Sequence, residues 1–227
     1  MNRYAVIPVM NEAAAIGELV AGLRAAGFDG VVVVDGSSRD GTADIARSRG
    51  AVVVVETRRG YGRAVMNGAA IAVQRGAGAI AFADGNGSVD AETVARVVDP
   101  VVRGKADVAI GCRDGADLRP LQRFGNRLAV EIIARTRGVR YTDIGSVRAI
   151  AVPALAVLDL DEPTYGWPLQ LQVRAAARGL RIRQVPIALR PRQSQSKVSG
   201  TLRGRLGASV AFLRVLAAEC AIGAVHR

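Results

Sequence analysis

Three acidic residues, each closing an apolar run, carry the first chemical hint in this chain of 227 residues. Glu12 follows Ile-Pro-Val-Met-Asn (7–11). Asp35 ends a run of four valines and opens Gly-Ser-Ser-Arg-Asp-Gly-Thr (36–42), and Asp84 ends Ala-Ile-Ala-Phe-Ala (79–83) before Gly-Asn-Gly-Ser-Val-Asp (85–90). Short, continuous apolar runs of this kind read as buried strands, and open α/β sheets bind their ligands at the carboxyl edge of the strands. A carboxylate at that edge can hold a divalent cation and the phosphates that travel with it. Each turn alone has a plainer reading: Asn11 serves equally as a helix N-cap, with Glu12 complementing the helix dipole, and 84–90 as a polar turn. The convergence of three such turns on one edge argues for a site.

The elements that must position these residues alternate along the chain. Strands are predicted at 4–8, 31–35, 52–56, 79–84 and 106–111, and helices at 13–26, 42–49, 64–75 and 91–103. Beyond them come a polar loop (115–120), a helix (121–137) and a turn leading to a short strand (141–150). A Gly/Pro-broken loop (164–168), a helix (169–178), a strand (181–189), a basic loop (190–200) and an amphipathic helix (201–221) complete the chain. No repeat or low-complexity linker separates the halves. The fold class is therefore α/β, a mostly parallel central sheet sandwiched by helices in a single domain over residues 1–221.

Composition narrows the chemistry. The net charge is +11 with a sequence pI near 11.0, but the basic excess is almost all arginine, which reads as solvated faces. Lys105 and Lys197 are the only lysines, so the position of Lys197 in Ser-Lys-Val-Ser-Gly stands out. With aromatic residues at 4% there is little to stack on bases, and no nucleic-acid partner is expected. Cys112 and Cys220 have no metal-ligand spacing, and His226 is the only histidine, which removes Ser-His-Asp triads, Cys-His pairs and histidine metal centres. No Gly-x-Gly-x-x-Gly follows the first strand and no P-loop occurs. Strand-like sequence begins by Tyr4 and no apolar run is long enough to span a bilayer, so the expected location is the cytoplasm.

Seven motifs in order resemble one family. They are Ile-Pro-Val-Met-Asn-Glu (7–12), Val-Val-Asp-Gly-Ser-Ser-Arg-Asp-Gly-Thr (33–42), Arg-Arg-Gly-Tyr-Gly-Arg-Ala (58–64), Ala-Asp-Gly-Asn-Gly-Ser (83–88), Thr-Asp-Ile-Gly-Ser-Val-Arg-Ala (142–149), Thr-Tyr-Gly-Trp-Pro (164–168) and Gln-Ser-Lys-Val-Ser-Gly-Thr (195–201). Together they resemble the family 2 glycosyltransferases of GT-A fold, in particular the polyprenyl-phosphate branch typified by dolichol-phosphate mannose synthase.

The resemblance implies an inverting, metal-dependent transfer of a sugar from a nucleotide-diphosphate donor to an acceptor such as a polyprenyl phosphate. Residues 1–111 would be the nucleotide-sugar half, 112–200 the acceptor side and 201–221 a C-terminal amphipathic helix. Pro8, Met10 and Glu12 would line the nucleotide pocket, with Asp35 against base or ribose. Asp84 and Asn86 would hold Mg²⁺ or Mn²⁺. Arg63 belongs to a glycine-flanked basic turn that is either a loop over the diphosphate or an ordinary surface turn. Arg113, Arg148 and Lys197 would contact donor or acceptor phosphates, and Trp167 would cover a sugar or lipid face or serve the core. For a hydroxyl acceptor, Asp143 is the candidate base; a polyprenyl phosphate is already anionic and needs none.

Two positions depart from the family pattern. Asn86 stands where the second metal-motif Asp is usual, and Gln170 where Glu is usual after Gly-Trp-Pro. They are the signature of an alternative, a catalytically weak or inactive nucleotide-sugar binding module. A sugar-nucleotide pyrophosphorylase would instead carry a glycine-rich loop after the first strand. In the last helix Leu202, Leu206, Val210, Leu213 and Leu216 recur at helical spacing with Arg203, Arg205 and Arg214 elsewhere. That pattern suits either packing on the domain or peripheral contact with the inner face of a membrane.

Overall fold

Along strand β1 (Arg3–Val9), Val6 enters one apolar cluster while Ala5, Ile7 and Val9 enter another, and all four are buried. A strand buried on alternate sides needs cover on both. The computed structural model describes residues 1–114, 120–191 and 202–221. Within them helices α1 (Ala13–Ala25), α2 (Thr42–Ser48) and α4 (Ala91–Val102) cover one face. Helices α3 (Tyr61–Gln74), α5 (Pro120–Arg137), α6 (Val152–Leu158), α7 (Trp167–Ala177) and α8 (Leu202–Ala221) cover the other.

The remaining strands are β2 (Gly30–Asp35), β3 (Val52–Val55), β4 (Ala79–Phe82), β5 (Val108–Arg113), β6 (Val147–Ala151) and β7 (Ile182–Ile187), and the sheet order is β3-β2-β1-β4-β6-β5-β7. One sheet thus spans both halves of the chain. β1 pairs in parallel with β2 and with β4, so the chain winds outward in opposite directions from the gap between β1 and β4. That topological switch point is where an open α/β sheet forms a crevice. β6 is the exception to the parallel arrangement, antiparallel to both β4 and β5. Its reversed direction brings its amino end to the same edge as the carboxyl ends of β4 and β5, and Arg148 pairs in register with Phe82 and Ile110.

The expected strands and helices of the first half are present, within a few residues at their ends. α6 occupies a stretch the sequence assigns to no element, and α7 starts at Trp167, inside the expected loop 164–168. Both helices carry proline in their first turn. There the missing N–H costs nothing and the fixed φ favours the helix, so Pro153 and Pro168 start helices and do not break the chain.

Candidate active site

The turns after β1 and β2 are stitched to each other. Asn11 N–H donates to Ser38 Oγ (2.8 Å), and Asn11 Oδ1 accepts from Arg39 N–H (2.8 Å). Glu12 N–H donates to Thr42 Oγ1 (2.8 Å), and Ala13 N–H, at the start of α1, donates to Asp40 Oδ2 (3.0 Å). Asp35 is buried and its carboxylate accepts from Ser38 N–H (3.1 Å to Oδ2) and from the Ser38 hydroxyl. Asp35 therefore closes its own turn and is not among the residues lining the cleft, unlike its neighbours Val34 and Gly36. The Glu12 side chain makes no capping hydrogen bond to α1 and lines the cleft.

Between these turns and the end of β4 lies a cleft of about 630 Å³. Pro8, Met10, Glu12, Asp84, Asn86, Arg113 and Arg148 all line it, so seven of the expected site residues meet there. Gly85 lets the turn after Asp84 lie against β1, because a Cβ there would sit 2.4 Å from Val9 Cγ1. Asn86 Oδ1 accepts from Ser88 N–H (2.9 Å), which fixes the amide and leaves its oxygen a second lone pair. Asp84 and Asn86 thus form an all-oxygen donor pair, of the kind that binds Mg²⁺ or Mn²⁺ together with substrate phosphates and water. The fit is to a shared site: among the described residues no cluster of three or more His, Cys, Asp or Glu could hold a metal by itself.

The opposite wall is cationic. Arg113, at the end of β5, makes a bidentate pair with Asp143 (Nε–Oδ2 2.7 Å, Nη2–Oδ1 2.8 Å), and its own N–H also donates to Oδ2 (3.0 Å). Burial alone would raise the Asp143 carboxyl, but the hydrogen bonds and charge of Arg113 outweigh it and hold it below the usual carboxylate range. Asp143 is buried and does not line the cleft, so the candidate base is instead the group that aims Arg113. Arg148 is 2% exposed, with Nη2 donating to the carbonyls of Gly145 (2.6 Å) and Ile144 (3.3 Å). Among the described residues it makes no ion pair, and its Nε and the neighbouring Ser146 Oγ are buried without a hydrogen-bond partner. Burial, and next the Asp84 charge, push the Tyr61 and Tyr165 phenols up.

Tyr61 and Tyr165 stand inside motifs of the sequence but are not among the expected site residues, nor are Glu56 and Gln122, and all four line the cleft. The tyrosine rings stack with centroids 6.4 Å apart. A Cβ at Gly62 would come 1.9 Å from the Glu162 carbonyl oxygen, so only glycine lets the start of α3 rest on the 162–164 backbone, where Gly62 and Arg63 N–H donate to Thr164 and Pro163 (both 3.1 Å). Arg63 Nη1 turns back to the Arg59 carbonyl (2.8 Å), and the residue is not among those lining the cleft. Glu56 is bonded to Arg58 and Asn67, and the Arg58 bonds bring its carboxyl down to about 2.

Trp167 and Gln170 both lie off the cleft lining. Trp167 is wholly buried, edge-on to Phe82 at 5.0 Å, and belongs to the core. Gln170 is also buried and away from the cleft. Its Oε1 accepts from Asp161 N–H (3.1 Å) and Glu162 N–H (2.9 Å), and its Nε2 donates to Asp161 Oδ1 (2.7 Å) and Glu219 Oε1 (3.0 Å). A glutamate there would set a third carboxylate against two others. Glu162 in turn accepts from Thr164 and from Arg214 of α8 (2.6 Å). Lys197 and the side chains of Leu202, Arg203, Arg205 and Leu206 lie outside the described residues.

An open α/β sheet with an acidic turn facing arginines at its switch point is the arrangement of the GT-A fold. The profile of Glycosyl transferase family 2 matches residues 4–156. Glycosyltransferase AglJ of Haloferax volcanii is 34% identical over 195 residues, covering 83% of this chain and 63% of AglJ, so the chain spans under two thirds of that relative. Undecaprenyl-phosphate mannosyltransferase of Micrococcus luteus is 31% identical over 224 residues and 90% of both chains. Glucosyl-3-phosphoglycerate synthase from Mycobacterium tuberculosis, solved with Mn²⁺, UDP and glucosyl-3-phosphoglycerate, superposes with a TM-score of 0.75 at 21% identity, covering 96% of this chain and 80% of that one. The chain belongs to glycosyl transferase family 2.

Proposed function

We propose that this protein transfers a sugar from a nucleotide-diphosphate donor to a polyprenyl phosphate, with inversion and with the help of Mg²⁺ or Mn²⁺. The observation that carries the acceptor class is the pair of buried, partnerless donors beside the cleft, Arg148 Nε and Ser146 Oγ. A buried guanidinium without a carboxylate is costly, and an incoming phosphate would offset that cost through charge-assisted hydrogen bonds. The commitment of Asp143 to Arg113 favours the same acceptor, since an anionic phosphate oxygen needs no base. The undecaprenyl-phosphate relative supports it independently.

In this reading the turns 10–12 and 36–42 seat the nucleoside, and Asp84 with Asn86 faces the diphosphate. A divalent ion held there would offset charge gathering on the leaving diphosphate. Arg113, aimed by Asp143, and Arg148 hold the acceptor phosphate on the far side of the sugar. Its oxygen then attacks the anomeric carbon in line: the new C–O bond forms as the bond to the donor phosphate breaks, and the configuration inverts. The inactive-module reading loses one of its two supports, because Gln170 serves packing and not the cleft.

The test is incubation with a panel of labelled nucleotide sugars, Mn²⁺ and a polyprenyl phosphate, followed by solvent extraction. Label in the lipid phase, inverted at the anomeric carbon, is expected. Label that stays in water for the whole panel, although a donor binds, contradicts the proposal.

A further inference from the structure

Four large apolar side chains stand exposed on α5 and α8: Phe124 (67% exposed), Leu128 (43%), Val210 (63%) and Leu213 (62%). The two helices are neighbours, and Arg137 near the end of α5 donates to the Glu219 carbonyl of α8. Ala129 and Ile133 anchor α5 in the core, and Val215 and Leu216 do the same for α8. Phe124 and Leu128 lie one turn apart on the outward side of α5, with exposed Arg123 and Arg127 interleaved. Over residues 123–135 of α5 alone, the charged residues are Arg123, Arg127 and Arg135 against Glu131, which pairs with Arg135 (2.9 Å). The stripe is therefore apolar and net positive. It also begins at the cleft, because Gln122, two residues before Phe124, lines it.

Exposed apolar side chains one turn apart on a helix, like Phe124 and Leu128, mark an interaction surface. We propose that the outward face of α5, extended by Val210 and Leu213 of α8, seats the protein on an anionic lipid surface with the mouth of the cleft at headgroup level. The charge pattern selects the partner: arginines among the apolar side chains complement anionic headgroups while Phe and Leu enter the acyl boundary. Among the described residues no helix is long and apolar enough to cross a membrane, so the contact is interfacial. The placement of the cleft mouth draws its meaning from the lipid-phosphate acceptor proposed above, whereas the lipid contact itself does not depend on it.

The test is co-sedimentation of the full chain with phosphatidylglycerol-containing vesicles and with phosphatidylcholine vesicles. Binding to the anionic vesicles is expected, weakened at least about tenfold in F124D/L128D and in R123E/R127E. V73D and V157D, which alter exposed apolar residues on α3 and α6, should bind as the parent does. All four positions in the apolar variants are solvent-exposed, and thermal melts check that the fold survives. No binding to either vesicle, or undiminished binding by F124D/L128D, overturns the proposal. So does a parent dimer that F124D/L128D converts to monomer while neither form binds vesicles, since the patch is then a contact between copies. Transfer to a detergent-solubilised short-chain polyprenyl phosphate separates the two proposals: F124D/L128D should keep it. A parent that binds anionic vesicles but transfers nothing contradicts the function while leaving the surface intact.

Discussion

On one side of the cleft the turns after β1 and β2 hold each other, through bonds between Asn11 and Ser38 and between Ala13 and Asp40. Across the cleft, the 161–164 backbone that precedes Tyr165 and receives the start of α3 is held by Gln170 and by Glu162, itself anchored by Arg214 of α8. One wall is built from the motifs it contains, the other from side chains beneath it. Substitutions on the arginine side should therefore separate into those that unmake the scaffold and those that touch a ligand.

Asp143→Asn should have the largest effect on stability. Breaking its pair with Arg113 at one end of a buried contact costs about 3–5 kcal/mol, read as a loss in unfolding free energy at neutral pH. The pH dependence has a definite sign. Because the folded Asp143 carboxyl is depressed, its contribution is complete above about pH 4. It fades as pH falls through the lowered folded value, so the gap between parent and variant should close on acidification. A gap that does not change with pH would place Asp143 outside the ion pair.

Arg148→Ala should lower kcat/KM about 10- to 100-fold, the loss expected for a charge-assisted contact to substrate. The change should appear with the acceptor varied, while donor affinity stays near the parent value. An equal loss in donor affinity would move Arg148 to the donor wall.

Gln170→Glu, the residue that the resemblance leads one to expect there, should destabilise the fold by about 1–3 kcal/mol by removing two donors and adding a like charge. Denaturant titration reads this directly, and unchanged stability with altered activity would return position 170 to the active site. The smallest effect is that of Asn86→Asp, which should tighten Mn²⁺ binding in the presence of donor by about tenfold or less. Unchanged affinity would remove Asn86 from the metal.

The same contrast explains what was legible in the sequence. Strand ends at Glu12, Asp35 and Asp84 follow from apolar runs interrupted by acids, and the edge they share follows from the parallel sheet. Pro8, Met10 and Asp84 are therefore found where the sequence expects them. Asp35 reads as a ligand because a strand-end carboxylate looks the same whether it faces solvent or its own Ser38. Asp143 and Gln170 could not be placed, since their partners Arg113 and Glu219 are 30 and 49 residues away. Trp167 reads as a platform or as core until Phe82 is found beneath it. Tyr61 carried a faint signal, between two glycines. Tyr165 carried a similar one, before Gly-Trp-Pro. Their approach to each other depends on the contact between α3 and the loop before α7.

The most direct measurement is the thermal stability of the parent and of Asp84→Asn with nucleotide sugar, with Mn²⁺ and with both. If Asp84 binds the ion that grips the diphosphate, sugar nucleotide and Mn²⁺ together should raise the parent's Tm by about 5–10 °C near a hundredfold excess over Kd. Each alone should do much less, and the variant should lose the joint effect. An equal, metal-independent rise in both proteins would contradict the account.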